Sequence, residues 1–204
     1  MFKKLASDAL GLSDIGKIIK KEDFDKTQSD DFVLTEDGEK IHFLIKSKSD
    51  EYCFTNRALI HLDGEKASSS KRNIYRFDYY QHPIQNVSVE TAGTIDLDLE
   101  IKFLIGNKSM SIDIAKDEGE AIADLYKSLV AISHIQEDNR LHSEFAKDSL
   151  GTARELIHDN RFHDGDISKE FSEVMNHAYD WLSQKHKENT RKDFKEIFEK
   201  YIHN

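Results

Sequence analysis

From Thr94 to Phe103 the chain alternates strictly: Ile95, Leu97, Leu99, Ile101 and Phe103 are apolar, while Asp96, Asp98, Glu100 and Lys102 between them are charged. Side chains of a strand point to its two faces in turn, so this run predicts a strand with one dry face and one wet face. A strand of that kind belongs in an antiparallel sheet rather than in a parallel sheet covered on both sides. Other runs with the same period flank it. Ile41, Phe43 and Ile45 alternate with His42 and Lys46, and predict a half-buried strand. Lys48-Ser49-Asp50 turns the chain into Tyr52–Thr55, Asn56 turns it into Ala58–Ile60, and Asp63-Gly64 closes that run. Ala67–Ser70 reads as a loop, Ile74–Tyr79 as a strand ending near Pro83, and Val87–Val89 as a further strand turned at Ala92-Gly93. Gly106-Asn107 then leads into a last strand over Ser109–Ile114.

The period changes at Asp117, which with Glu120 has the spacing of a helix start. Ile122, Leu125, Tyr126, Leu129 and Ile132 follow on one helical face. Such a helix suits the open mouth of a small sheet of about seven antiparallel strands. Beyond residue 134 the reading is helical throughout. One helix holds Ala153, Leu156 and Ile157, and His163–Asp166 separates it from the next. Phe171, Val174, Met175, Ala178, Trp181 and Leu182 make a second stripe; Phe194, Ile197, Phe198, Tyr201 and Ile202 make a third after Asn189-Thr190. At the other end, Leu5, Ala9, Leu12, Ile15 and Ile19 predict one or two short helices, weakened by Gly11 and Gly16. The chain thus divides into a lead-in over 1–34, a β-rich part over 35–133 and a helical part over 134–204.

The net charge of −10 disfavours a nucleic-acid partner, because an acidic surface repels phosphate backbones. Cys53, the lone cysteine, cannot form an intramolecular disulfide and reads as a small buried hydrophobe in a strand. No run approaches the ~18 apolar residues of a membrane helix, and the N-terminus lacks the form of a signal peptide, so a cytoplasmic location is expected. Candidate chemistry is sparse. Asp96, Asp98 and Glu100 share a strand face, but a straight strand spreads carboxylates apart where a calcium site needs them to converge. His158-Asp159 and His163-Asp164 lie five residues apart, which does not bring both imidazoles to one helical face. There is no Walker A loop, GxGxxG, GxSxG or CxxC, and no histidine spacing suggests a relay for Ser88 or Thr91. No catalytic residue, metal or cofactor is expected.

At Phe54-Thr55-Asn56-Arg57-Ala58-Leu59-Ile60, and more specifically at Ser88-Val89-Glu90-Thr91-Ala92-Gly93-Thr94-Ile95-Asp96-Leu97-Asp98-Leu99-Glu100-Ile101-Lys102-Phe103, the chain resembles the bacterial pleckstrin-homology (PH) domain family. The resemblance covers about residues 35–133, and the helical part resembles the oligomerisation region attached to this domain in Bacillus-type members. It implies an α+β chain: a PH-like barrel of two antiparallel sheets closed by a helix, then an all-α extension. It also implies ring-like homo-oligomers and no catalytic set. Eukaryotic relatives of the fold often bind phosphoinositides through a basic first hairpin. Here that hairpin offers Lys46 and Lys48 but continues with Asp50 and Glu51, and Lys71-Arg72 adds little.

The expectation is a non-catalytic interaction protein that associates with copies of itself and presents a surface to a protein or peptide partner. A β-domain already capped by a helix leaves the later aromatic stripes without cover, so contact between copies is expected at Phe171, Val174, Trp181, Leu182, Phe194, Ile197, Phe198 and Tyr201. Removal of 135–204 is then expected to leave the β-domain folded. The alternative is a peripheral membrane protein. Five lysines within residues 3–21, facing Asp8 and Asp14, could set an N-terminal helix on anionic lipid.

Overall fold

The structure is a computed structural model that describes residues 15–64, 72–91, 98–159 and 167–203. Eight strands are present: β1 (Lys17–Ile18), β2 (Ile41–Lys46), β3 (Glu51–Thr55), β4 (Ala58–Asp63), β5 (Asn73–Asp78), β6 (Ile84–Glu90), β7 (Asp98–Ile105) and β8 (Lys108–Ala115). They form a five-stranded sheet in the order β1-β2-β3-β4-β5 and a three-stranded sheet β6-β7-β8, every neighbouring pair antiparallel. Three helices follow: α1 (Gly119–Asp159), α2 (Ile167–Glu188) and α3 (Lys195–Tyr201). The fold is α+β and PH-like.

The strand predicted from its alternation is β7. Leu99, Ile101, Phe103 and Ile105 are buried, while the residues between them are partly exposed. Residues 94–97 of the predicted run lie outside the described residues. The five-stranded sheet behaves differently, because β2, β3 and β4 are covered on both faces. Cross-strand partners Phe43, Phe54 and Leu59 look toward the other sheet, where Phe54 meets Phe103 at a ring distance of 6.3 Å. Leu44, Cys53, Ile60 and Leu62 form a second cluster on the opposite face with Ile19 and Val33, and Phe24 and Phe32 pack against it. The half-buried reading of β2 is corrected accordingly. Its register shifts between Ile41 and Phe43, and Ile41 packs with the outer cluster instead of sharing a face with Phe43.

The lead-in supplies that outer cover. In its described part it is extended through β1, then turns as short 3-10 segments at Lys21–Lys26, Ser29–Phe32 and Thr35–Asp37; of the short helices expected over Leu5–Ile19, residues 5–14 lie outside the described residues, and Lys17–Ile18 is strand. Gly16 stitches the two sheets together: its N–H donates to the Asp113 carbonyl at 2.8 Å, and its own carbonyl accepts from Ala115 N at 3.2 Å. A Cβ here would stand 2.6 Å from Ile45 Cγ2, so the seam needs a residue without a side chain.

The helix predicted to close the sheets starts where expected. Ile122, Leu125, Leu129 and Ile132 are all buried, whereas Tyr126, placed on the same face by its spacing, is exposed. The helix does not end near 133. Residues 120–150 contain neither glycine nor proline, and α1 runs unbroken to Asp159.

By its contacts the chain forms two compact units. One joins residues 1–134 with 192–204, and the other is 135–191. The last segment therefore belongs with the sheets, not with the helices that precede it.

Candidate functional site

The groups with catalytic or metal-binding potential are taken up in structure. Glu100 accepts from Lys102 Nζ at 2.8 Å and from the Ser111 hydroxyl, and these contacts hold its carboxyl below the usual range. Asp98 is partly buried on the same strand face, and Asp96 lies outside the described residues. Among the described residues no group of three or more His, Cys, Asp or Glu side chains is arranged to hold a metal ion. The side chains of His158 and Asp159 and the whole of His163 and Asp164 lie outside the description. Cys53 is fully buried, and its burial pushes the thiol pKa up, which keeps it protonated and inert.

The hairpin at which a phosphoinositide headgroup would be read is also neutralised. Lys46 is buried in an ion pair with Glu51, whose other carboxylate oxygen accepts from Ser29 N–H at 2.8 Å. Lys48 is exposed beside this pair. A shallow cavity of about 290 Å³ elsewhere on this unit is lined by Ile18, Lys20, Lys21, Glu22 and Glu118, and its charges are mixed. The apolar Ile19 next to it is turned into the outer core. Among the described residues no helix is long and apolar enough to cross a membrane.

Exposed large hydrophobic side chains lie on both units: Leu34, Ile74, Tyr75 and Tyr80 on the unit of the sheets, and others on the helices of 135–191. Of the described side chains of unit 135–191, Ala146 alone among the hydrophobics is buried. Phe145 on α1 and Val174, Met175 and Tyr179 on α2 are exposed, Tyr179 at 72 % and Met175 at 52 %. Trp181 and Leu182 are half-buried, and the side chain of Phe171 lies outside the description. Phe145 and Tyr179 escaped the sequence reading because neither falls on the stripe through 171, 174, 178 and 181.

The third predicted stripe is placed elsewhere. Phe194 and Phe198 are each 0 % exposed, inside the unit of the sheets. Within one chain their side chains are therefore already covered. Ile197 and Tyr201 are half-buried beside them. The two phenylalanines pack against Tyr79, at ring distances of 5.8 Å and 6.2 Å, and His42 stacks on Phe198 at 5.2 Å with the planes 13° apart. Asn56, in the β3–β4 turn, fixes the backbone. Its carbonyl accepts from Phe194 N–H at 2.8 Å, its Nδ2 donates to Asp193 at 2.8 Å, and its Oδ1 accepts from Lys40 N–H at 2.7 Å. The sequence marked Asn56 as a turn residue, and nothing in its neighbours announced a partner 137 positions away.

Sheets of five and three antiparallel strands, followed by a helix with a buried apolar face, define a PH-like fold, and the comparisons agree. The bacterial PH domain family matches residues 9–133 and the YvbH-like oligomerisation region matches residues 144–204. The chain belongs to the bacterial PH domain family. It is 50% identical over 204 residues to the uncharacterised protein YvbH of Bacillus subtilis (strain 168), covering 100% of both chains. The uncharacterised protein YjqA of the same organism is 34% identical over 99 residues, which are 47% of this chain and 76% of that protein. Among solved structures, a PH-domain-containing protein from Exiguobacterium sibiricum 255-15 superposes with a TM-score of 0.85 at 48% identity, covering 93% of this chain and 100% of that one.

Proposed function

We propose that this protein is a non-catalytic scaffold that self-associates through its helical unit and presents its PH-like unit to a protein or peptide partner in the cytoplasm. One observation carries the reading. The helices of 135–191 leave Phe145, Val174, Met175 and Tyr179 exposed and bury only Ala146 among their described hydrophobic side chains. Helices owe most of their stability in water to packing of an apolar face, and among the described side chains this unit offers that face no cover of its own. A second copy supplies identical faces, which is the usual basis of a symmetric contact. The match of residues 144–204 to a region named for oligomerisation supports the same reading. Of the residues expected at the contact, Val174, Trp181 and Leu182 remain in the proposal, joined by Met175 and Tyr179.

Light scattering behind size-exclusion chromatography tests it. The full chain is expected to run as a defined multiple of 23.6 kDa. Met175→Asp and Tyr179→Asp are expected to reduce that mass while the near-ultraviolet signal of the buried aromatics persists. A full chain that is monomeric at micromolar concentration, or an assembly indifferent to both substitutions, would refute the proposal.

A further inference from the structure

The five-stranded sheet ends at β5, and only one edge of that strand's backbone is used. Just beyond it, Tyr79 N–H donates to the Arg57 carbonyl at 2.9 Å, and the register pairs Ala58 with Asp78. Hydrogen-bonded pairs alternate along an antiparallel ladder, so Asn73, Tyr75 and Phe77 bond to β4 while Ile74 and Arg76 turn their N–H and C=O outward. Among the described residues those outward groups have no partner.

The other edges are guarded. β1 is two residues long, and β8 is met by Gly16. β6 carries a register shift between Gln85 and Ser88, a φ of 53° at Asn86, and exposed polar side chains. Short length, bulges and polar or charged side chains are the usual defences against pairing with a further strand. β5 has no proline, glycine or register shift, and its two charges, Arg76 and Asp78, are bound to each other, Arg76 also to Glu39. Ile74 and Tyr75 stand 43% and 41% exposed on its opposite faces.

A row of outward N–H and C=O groups at every second residue is matched by an extended backbone. The side chains narrow the match. On the face turned to the other sheet, the Tyr75 ring has Phe77 at 6.4 Å and Lys108 Nζ at 5.9 Å. Lys108 is exposed and has no carboxylate partner among the described residues. Ile74 gives the opposite face an apolar neighbour. An added strand sends successive side chains to these two faces in turn, so its complement is acidic toward Tyr75 and Lys108 and apolar toward Ile74.

We infer that β5 is the docking edge for an extended peptide segment of a partner, alternating apolar and acidic residues, which joins the sheet as its next strand. The inference rests on the partner-binding reading proposed above and names the surface which that reading leaves open.

The full chain is tested with the peptide acetyl-Thr-Ile-Glu-Val-Glu-Ile-Thr-amide, followed by amide spectra and hydrogen exchange. In the free chain the amides of Ile74 and Arg76 are expected to exchange quickly and those of Tyr75 and Phe77 slowly. The peptide is expected to protect Ile74 and Arg76 saturably. Ile74→Pro removes an outward donor without touching the ladder to β4, and is expected to weaken binding, read at Arg76, about tenfold. Lys108→Glu leaves β5 itself intact and is expected to turn preference toward a peptide with lysine in place of glutamate. No protection at millimolar peptide, or equal binding by a peptide methylated at its backbone nitrogens, overturns the inference. So does protection of Ile74 and Arg76 in the free chain: lost on dilution, it sets a second copy on the edge; kept, it sets a segment of the same chain there. Peptide binding elsewhere, indifferent to Ile74→Pro, keeps the partner-binding reading and removes this edge, and the mass from light scattering reports self-association separately.

Discussion

Glu39 has no exposed side-chain surface, and Arg76 meets it with two hydrogen bonds of 3.1 Å while also pairing with Asp78 at 2.8 Å. Thr55 and the Leu34 N–H complete the carboxylate's partners. Arg76→Ala leaves a buried charge without its counter-ion and is expected to cost about 3 kcal/mol, read from urea denaturation. Gly16→Ala acts through space instead. Ile45 and the backbone of β8 must move apart to admit the methyl group, with an expected loss of about 1–3 kcal/mol in the same assay. His42 gives a pH dependence. Burial lowers its pKa from the ordinary 6.5, opposed by Glu199 and Asp193 and reinforced by Lys21 and Lys195. The unfolded chain therefore binds the proton first. The His42 contribution is complete above pH 6.5 and is lost as pH falls through the lowered folded value. His42→Phe keeps a flat ring against Phe198 and is expected to flatten stability between pH 7 and 5; an unchanged slope assigns that loss to the carboxylates.

Among the elements, β7 was legible because one period governs its whole length and both faces have plain environments. β2 was only half legible: the shift between Ile41 and Phe43 breaks the period without leaving a glycine or proline to mark it. The cover of the five-stranded sheet was missed for a related reason. Ile19, Phe24, Phe32 and Val33 are spaced for turns rather than for any regular element, so their packing on Leu44, Cys53 and Ile60 could not be read from period. The length of α1 is not legible because its apolar stripe, Ile122 to Ile132, stops well before the helix does at Asp159. Beyond that stripe, exposed pairs of helical spacing support the same helix: Arg140 reaches Glu137 and Glu144, both at 2.6 Å. The α3 stripe is legible as apolar, and its place in the unit of the sheets is not, because spacing alone does not name a partner. Docking of that element hangs on Asn56. Asn56→Ala leaves the Lys40 N–H and Asp193 without their amide partner and is expected to cost about 1–2 kcal/mol. Amide exchange should rise at 194–202 before it rises in β7.

At the scale of the molecule, the boundaries suggested by composition are not those set by contacts. A cut at 134 takes Phe194 and Phe198 away with the helices and removes their ring contacts with Tyr79 and His42. Truncation of 135–204 is therefore expected to give a destabilised β unit, each lost phenylalanine counting for about 3–5 kcal/mol. Joining 134 to 192 through a flexible linker should restore stability, and thermal denaturation of the two proteins makes the comparison. The helical pattern alone gives the opposite expectation, a β-rich part that stands by itself, and the same comparison decides between the two.

That the sheets recruit Phe194 and Phe198, which follow both long helices, has a consequence during synthesis. Domains generally form in order as they emerge from the ribosome. Here the last strand is complete at Ala115, and the phenylalanines that cover Tyr79 are made only after α1 and α2. A nascent chain therefore holds both sheets and both long helices while the seat beside Tyr79 is still vacant.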